Sequence, residues 1–320
     1  MGIKCNKWCL SGLGRKAIRM RILLLGANGQ VGWELQRSLS PLGEVKVCDR
    51  HTIDLEDLNS LSILLDEYKP EIIVNAAAYT AVDQAETDLH KAKRINTEAV
   101  SLLANKSKQL NAMLVHFSTD YVFDGTKLGA YKETDKVNPQ SVYGETKLLG
   151  ENAIIDSGCK HLVFRTSWVY ATRGSNFPKT IIRLASERDE LKVVCDQFGV
   201  PTSAELIADV TSLCLYQIIQ DRVKADDVTG IYHLTPNGKT SWHGLAQYVI
   251  KKALGLGSTF RITPANILPI STEEYPLPAM RPANSLLDTQ KIRQTFGIHL
   301  PNWEMHVDRL IEEIRLQRAQ

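Results

Sequence analysis

The residues best suited to chemistry are Tyr143 and Lys147, which stand four positions apart in a segment predicted to be a helix over residues 141–156. That spacing places both side chains on one helix face, about 6 Å apart along the axis. A phenol has a pKa near 10, and lowering it by about three units requires about 4 kcal/mol of preference for the phenolate. An ammonium about 4 Å away, at an effective dielectric constant of about 20, supplies that amount. The spacing predicts a lysine-activated phenol, with an exposed helical pair as the alternative.

A glycine-rich turn follows the first predicted strand, residues 21–25. Gly26, Gly29 and Gly32 stand three apart, and a helix is predicted over residues 31–39. A strand, a glycine turn and a helix in this order are typical of a dinucleotide site, because the free N–H groups at the helix start face the cofactor phosphates. The residues that we predict to hold the cofactor here are Gly26, Asn28, Gly29, Gln30 and Val31.

The second predicted strand, residues 44–48, ends where a dinucleotide site reads the ribose. Asp49 would accept a hydrogen bond from the 2′-hydroxyl of NADH, whereas Arg50 would pair with the 2′-phosphate of NADPH. The sequence offers both residues, so the choice of coenzyme stays open. Asp54 and Leu55 resemble an acidic–apolar pair beside the adenine. The alternative is that Asp54 caps the helix predicted over residues 56–68.

Two further strands end in residues that suit a ligand crevice. The third, residues 72–74, leads into small residues that leave room above the sheet edge, and we predict cofactor contacts at Ala77, Ala78 and Thr80. The fourth, residues 113–117, leads into Ser118 and Thr119, whose hydroxyl groups can hold a carbonyl oxygen beside a phenol. A turn or helix cap is the alternative for this Ser-Thr-Asp segment.

The elements that position these residues alternate between strand and helix. This alternation predicts an α/β fold with a doubly wound parallel (Rossmann) sheet over residues 20–171. Part of residues 204–235 is expected to return to that sheet. Residues 172–320 are predicted to form mainly a smaller, partly interleaved α/β substrate domain over the strand ends. Residues 1–19 are basic, and we predict a disordered leader or tail with Met20 as a natural start.

Composition excludes several classes of protein. With 320 residues, 43% hydrophobic and 23% charged, the chain is typical of a globular protein with a sizeable core. The net charge of +2 and the lack of a basic block after the N-terminus argue against a nucleic-acid partner. No apolar run reaches the length of a membrane span. The six cysteines are scattered, which predicts free thiols in a reducing, cytoplasmic location and no zinc site.

Taken together, the motifs resemble the extended short-chain dehydrogenase/reductase family. The resemblance covers residues 20–315 and rests on the glycine triplet, on Tyr143-x-x-x-Lys147, and on five longer phrases: 29–35 (GQVGWEL), 118–123 (STDYVF), 142–147 (VYGETK), 165–170 (RTSWVY) and 196–199 (DQFG). Arg281-Pro282-x-Asn284-Ser285 also matches. The phrases are closest to the branch that uses NADPH or NADH to reduce the C4 keto group of dTDP-4-dehydro-6-deoxy-L-mannose to dTDP-L-rhamnose.

The resemblance implies a role for each matching residue. Tyr143 would donate a proton to the sugar carbonyl oxygen, Lys147 would hold the nicotinamide ribose and lower the pKa of the phenol, and Thr119 would bond the carbonyl. The residues implied to contact the dTDP-sugar are Thr119, Asp120, Trp168, Gln197 and Arg281. For Trp168 the alternative is a core indole, and for Arg281 it is a surface arginine.

Some members of the family carry Mg²⁺ at a dimer contact. The resemblance assigns Glu34 and Glu205 to that ion and implies a homodimer, although exposed carboxylates are more often merely solvated. Two other functions compete with the reductase: a nucleotide-sugar epimerase or dehydratase that retains NAD⁺, and a non-catalytic NADP-binding regulatory subunit. At the end of the fourth strand Asp120 lacks the neighbouring Glu of the dehydratases, and the intact Tyr143/Lys147 pair argues against the regulatory subunit.

Overall fold

The computed structural model describes residues 20–319. The predicted leader, residues 1–19, lies outside the described residues. The β-strands are β1 (Met20–Leu25), β2 (Gly43–Cys48), β3 (Ile72–Asn75), β4 (Met113–Thr119), β5 (His161–Thr166), β6 (Val169–Tyr170), β7 (Leu191–Val194), β8 (Phe198–Gly199), β9 (Thr202–Ser203), β10 (Gly230–His233), β11 (Thr240–Ser241) and β12 (Ile267–Ile270). The α-helices are α1 (Gln30–Leu39), α2 (Leu58–Tyr68), α3 (Val82–Ala85), α4 (Leu89–Lys93), α5 (Ala99–Leu110), α6 (Val142–Ser157), α7 (Phe177–Glu187), α8 (Ala204–Ile219), α9 (Ala225–Val228), α10 (Trp242–Gly255), α11 (Gln290–Phe296) and α12 (Trp303–Ala319).

Six strands form the central sheet, in the order β10-β5-β4-β3-β1-β2. Every pairing in it is parallel. Strands β3 and β5 are buried along their whole length, as expected of a parallel sheet covered on both faces. The strand order reverses beside β1, because β2 lies on one side of it and β3 on the other. Such a switch point opens a crevice at the carboxyl ends of the strands. The predicted α/β fold with a doubly wound parallel sheet is confirmed.

The sheet is covered on both faces because neighbouring residues of a strand point to opposite sides. Leu24 of β1 belongs to a core with Leu35 of α1 and Ile207 of α8. Leu25, the next residue, belongs to a second core with Leu103 of α5. Among residues 20–319, no helix combines the length and the apolar composition needed to cross a bilayer.

The C-terminal half both extends the central sheet and builds a core of its own. Strand β10 pairs with β5, with Tyr232 opposite Phe164, so this part of the chain returns to the sheet. The separate core includes Ile182 of α7, Leu245 of α10 and Val307 of α12. The division into a cofactor domain and a substrate domain stays a prediction.

Strand β12 lies in a proline-rich segment, residues 264–282. It pairs in parallel with β7 in a two-stranded sheet, although it contains Pro269. Proline cannot donate to a ladder and is therefore tolerated only at edges, which is where a two-stranded sheet places it.

A π-helical turn, Arg94–Glu98, lies between α4 and α5. Within that turn the buried Asn96 accepts a hydrogen bond from the Tyr79 backbone N–H at 2.9 Å and donates to its carbonyl at 3.1 Å. It also donates to Thr146 of α6 at 3.2 Å. Turns of this kind often lie at functional sites. Here the turn ties the segment after β3 to helix α6.

Candidate active site

A cavity of about 730 Å³ opens at the carboxyl ends of the central strands, across the switch point between β1 and β3. It brings together predicted residues from distant parts of the sequence. The predicted residues that line it are Gly26, Asn28, Gly29, Gln30, Val31, Asp49, Asp54, Leu55, Ala77, Ala78, Thr80, Thr119, Asp120, Tyr143, Lys147 and Trp168.

The glycine turn has no room for side chains at two of its positions. Gly26 has φ +78°, and a Cβ added there would lie 2.5 Å from the backbone nitrogen of Ala77. A Cβ at Gly32 would lie 2.1 Å from the carbonyl oxygen of Gly26. Gly29 is the N-cap of α1, where no side chain caps the helix, so the first N–H groups can bind a phosphate. The turn therefore fits a dinucleotide.

Gly26→Ala is expected to destabilise the fold by about 1–3 kcal/mol. The added methyl group overpacks the turn, and alanine is strained at the positive φ of this position. It should also weaken NADPH binding, since the turn must shift away from Ala77. Thermal denaturation and a fluorescence titration with NADPH measure the two effects. Gly129→Ala is the matched control, because a Cβ there has no neighbour within 4 Å. Equal effects of both substitutions would contradict this account.

Asp49 and Arg50, which follow β2, both line the cavity and have different partners. Asp49 accepts from the Asn28 amide at 2.6 Å and from the side chain and backbone of Thr52, and the Thr52 bonds hold the pKa of Asp49 below its usual value. Arg50 pairs with Asp54 at 3.5 Å and Glu56 at 3.3 Å.

The alternative interpretation of Asp54 as a helix cap is wrong. The cap of α2 is Asp57, whose carboxylate accepts from the Ser60 N–H at 3.1 Å. Asp54 instead accepts from the backbone N–H of Glu56 at 3.0 Å and lines the cavity.

Helix α6 presents Tyr143 to the end of β4. Ser141 caps the helix by accepting from the Gly144 N–H at 3.2 Å. Tyr143 is half-buried and lines the cavity; its phenol hydrogen-bonds the side chain of Thr119, and its ring packs edge-on against Tyr121 with the centroids 5.5 Å apart. Burial raises the pKa of Tyr143 to about 12, and the charge of Asp120 acts in the same direction. The predicted lowering of this pKa by Lys147 is therefore wrong.

The reason lies in where Lys147 points. Its Nζ bonds the Phe117 carbonyl oxygen at 2.6 Å and lies 3.0 Å from His116 Nε2. Burial lowers the pKa of Lys147 to about 8, and the charge of Glu151 opposes that shift. A helical spacing fixes the separation of two side chains but not their burial, and here desolvation is the larger effect.

Asp120 is a buried carboxyl group beside the phenol. Burial raises its pKa to about 6, while hydrogen bonds from Ser285 and Thr119 act to lower it. Its Oδ2 has no hydrogen-bond partner among the described residues. A polar ligand in the cavity would find an unsatisfied acceptor here.

Trp168 packs against the core of the C-terminal half and also lines the cavity, while its contact with the substrate stays a prediction. It lines the cavity, and it stacks on Trp242 with ring centroids 3.6 Å apart and an interplanar angle of 14°. Its φ is +50°, an uncommon value for a bulky residue. A Cβ at Gly199 would lie 2.6 Å from the indole, so Gly199 makes room for it. The ring is thus fixed as a rigid wall of the cavity.

The structure does not bring Gln197 and Arg281 to the cavity wall. Gln197 donates to the Thr272 hydroxyl at 3.1 Å. The guanidinium of Arg281 donates to Asp83 at 2.7 Å and to the Ala279 carbonyl at 2.9 Å. Neither residue lines the cavity, so the predicted substrate contacts of Gln197 and Arg281 are not supported.

Glu34 and Glu205 lie near each other but do not form a metal site on one chain. Glu205 pairs with Arg309 at 3.3 Å and His306 at 3.7 Å, and Glu34 pairs with Arg37 at 3.6 Å. Burial, followed by the charge of Glu205, raises the pKa of Glu34. Within residues 20–319 no group of three or more His, Cys, Asp or Glu side chains is arranged to hold a metal ion. These residues do not fit Mg²⁺ on their own.

The structure adds cavity residues that we did not predict. Tyr121, which packs against Tyr143, lines the wall, and so do Val82 and Lys91, whose ammonium pairs with Glu56 at 2.9 Å. Thr166 and Ser167 also line it. Their position at the end of β5, like that of Ser118 and Thr119 at the end of β4, could have predicted the last two.

Comparison with known proteins gives a consistent family. The family model described as "RmlD substrate binding domain" matches residues 20–316. The dTDP-4-dehydrorhamnose reductase of Burkholderia thailandensis is 47% identical over 298 residues, which is 93% of this chain and 100% of that protein. The enzyme of the same name from Salmonella typhimurium is 45% identical over 299 residues, covering 92% and 98%.

A solved structure agrees with these relatives. The dTDP-4-dehydrorhamnose reductase of Bacillus anthracis, in complex with NADP, superimposes with a TM-score of 0.82 at 33% identity. The superposition covers 92% of this chain and 100% of that one.

Proposed function

The chain belongs to the RmlD substrate binding domain family, together with the dTDP-4-dehydrorhamnose reductases, and we propose that it catalyses the reaction for which those relatives are named. The substrate is dTDP-4-dehydro-6-deoxy-L-mannose, the C4 keto group is reduced, and the product is dTDP-L-rhamnose. NADPH or NADH is the reductant, in keeping with the NADP bound by the Bacillus anthracis relative.

One observation carries this proposal. A single cavity contains both a glycine turn at an uncapped helix start and a half-buried phenol that bonds Thr119. The first can hold a nicotinamide coenzyme, and the second can hold and protonate a carbonyl oxygen. Reduction of a ketone needs both at one place.

The residues that would hold the coenzyme follow from the cavity wall. The glycine turn and the start of α1 suit the diphosphate, Asp49 and Arg50 would face the ribose, and Lys147 lines the cavity one helical turn after Tyr143. A bound reduced nicotinamide supplies the hydride. The chain contributes alignment, exclusion of water and a proton.

Tyr143 is the proton donor in this mechanism. With a pKa of about 12 the phenol is fully protonated throughout the neutral range, which is the form that a reduction needs. Thr119 and Tyr143 together hold the keto oxygen. As that oxygen becomes an alkoxide, a much stronger base, the phenol transfers its proton to it. Trp168 limits the space available to the sugar ring.

The proposal is tested by incubating the purified chain with NADPH and the keto-sugar nucleotide. We expect loss of the absorbance of the reduced coenzyme and formation of dTDP-L-rhamnose. Binding of NADPH without its consumption would favour a non-catalytic NADP-binding subunit. Copurified NAD⁺ that turns over the sugar without net reduction would favour an epimerase or dehydratase.

Arg50 is proposed to favour NADPH over NADH. Arg50→Gln is expected to raise the Kd for NADPH about tenfold and to leave that for NADH within about twofold, because only NADPH carries a 2′-phosphate that a guanidinium can pair with. Titration of the same protein with each coenzyme measures the ratio. Arg173→Gln is the control. Arg173 is an exposed arginine whose Nε lies 3.4 Å from the Asn28 carbonyl, so this variant tests whether the loss of any positive charge near the turn weakens NADPH binding equally. An equal loss for both coenzymes in Arg50→Gln would contradict the assignment.

A further inference from the structure

A chain of three buried polar side chains lies behind Lys147. The Asn75 carbonyl oxygen of β3 accepts from the backbone N–H of Ala77 at 3.1 Å. The Asn75 amide nitrogen lies 3.2 Å from His116 Nδ1 on β4. The other ring nitrogen, Nε2, lies 3.0 Å from Lys147 Nζ on α6. The side chains of Asn75, His116 and Lys147 are all buried.

The chain has a direction, which its first member sets. A backbone N–H can only donate, so the oxygen of Asn75 must face Ala77 and its NH₂ group must face His116. His116 Nδ1 is then an acceptor, and a neutral imidazole carries its proton on Nε2. That proton points at Lys147, so Nζ accepts it and donates its own hydrogen to the Phe117 carbonyl.

Protonation of Lys147 would break this arrangement. An ammonium cannot accept a hydrogen bond. Either His116 would therefore have to change its tautomer, or its Nε2–H would face an N–H of Lys147. If the tautomer changed, Nδ1–H would face the NH₂ group of Asn75. Either arrangement leaves one buried donor unsatisfied, which opposes protonation.

The groups around Lys147 act on its protonation in opposite directions, and burial has the larger effect. Burial and the neighbouring lysine hold the pKa of His116 well below its usual value, so the imidazole is neutral. Glu151, one turn further along α6, favours the ammonium, but it is paired with Arg165 of β5 and bonded by Ser118 of β4. From β4 itself, His116 and the Phe117 carbonyl are the groups in contact with Nζ.

We propose that Asn75 and His116 are positioning residues for Lys147: they hold it at the cavity wall and oppose its protonation, so that it readily gives up and takes up a proton. The proposal rests on the proposed function insofar as Lys147 serves the reduction there. The consequence is that Lys147 exchanges its proton near neutral pH, where a reductase that must reload its proton donor works.

The test follows the protonation of Lys147 directly. Protein labelled with ¹³C at the lysine Cε carbon is titrated by NMR, and the Lys147 resonance is the one that disappears in Lys147→Met. In the wild-type chain we expect a midpoint near the pKa of about 8. In His116→Phe the amine loses a donor while the ammonium loses no acceptor, so the midpoint should rise by about one pH unit.

Two further variants keep the test decisive. Asn75→Leu removes the amide that fixes the tautomer of His116 and should also raise the midpoint. His116→Gln retains an N–H donor and should leave the midpoint close to that of the wild-type chain. If His116 simply accepted from an ammonium, His116→Phe would lower the midpoint instead. A lower or unchanged midpoint in both His116→Phe and Asn75→Leu overturns the proposal.

The titration uses the protein without substrate, so it is independent of the proposed reaction. If the midpoints shift as expected but the chain does not reduce the keto-sugar, the reductase assignment fails and the hydrogen-bond chain stands. If the chain is an active reductase but the midpoints do not rise, only the role of Asn75 and His116 fails.

Discussion

Replacing Tyr143 by phenylalanine is expected to lower kcat by about 10²–10⁴-fold, because loss of a positioned proton donor costs that much in general acid catalysis. The phenol bonds Thr119 and lines the cavity, and phenylalanine has no proton to donate at that position. The substitution does not alter the glycine turn, so the Kd for NADPH should stay within about threefold of the wild-type value. Steady-state kinetics and coenzyme titration give the two quantities.

The matched control for that experiment is Tyr216→Phe. Tyr216 is an exposed tyrosine on α8 that packs against Arg222 and does not line the cavity. Its loss of a hydroxyl group should leave kcat within about twofold. If Tyr143→Phe also retained nearly full turnover, another group would have to be the proton donor.

Arg165→Met is expected to cost about 3–5 kcal/mol in the free energy of unfolding, since it leaves a buried carboxylate without its partner. Arg165 of β5 and Glu151 of α6 are both buried and form a two-pronged ion pair, with Nε–Oε1 at 2.9 Å and Nη2–Oε2 at 2.6 Å. This pair ties α6, the helix that carries Tyr143 and Lys147, to the sheet. Urea denaturation measures the loss.

An exposed pair of the same chemistry provides the control. Arg183 and Glu187 on α7 lie 2.8 Å apart and are both more than half exposed, so Arg183→Met should cost less than about 1 kcal/mol. The double substitution Arg165→Met, Glu151→Met should recover much of the lost stability, because no unpaired charge remains. A cost for Arg165→Met as small as that for Arg183→Met would contradict this account of the buried pair.

The sequence was sufficient for those parts of the structure that local patterns determine. The glycine turn, the helix with Tyr143 and Lys147, and the strands of the central sheet follow from spacing and from short apolar runs, because a parallel sheet needs buried strands. The convergence of Asp49, Ala77 and Thr119 on one cavity also follows, since parallel strands place their carboxyl ends at one edge.

The sequence was insufficient where distant residues decide the outcome. The sequence gives no partner for Arg281, because Asp83 is distant along the chain and only the fold places it beside the guanidinium. His116 reads as an ordinary core position of β4, and only the packing of α6 makes it a partner of Lys147. The sign of the pKa shift at Tyr143 depends on burial, which helical spacing does not contain.

The most direct test of the central claim is to follow the hydride. The chain is incubated with the keto-sugar nucleotide and with NADPH that carries deuterium at the transferable position, and the product is analysed by NMR. We predict dTDP-L-rhamnose with deuterium at C4 and a hydroxyl group in place of the ketone. Deuterium at any other carbon, or a keto-sugar recovered unreduced beside unconsumed coenzyme, would contradict the account.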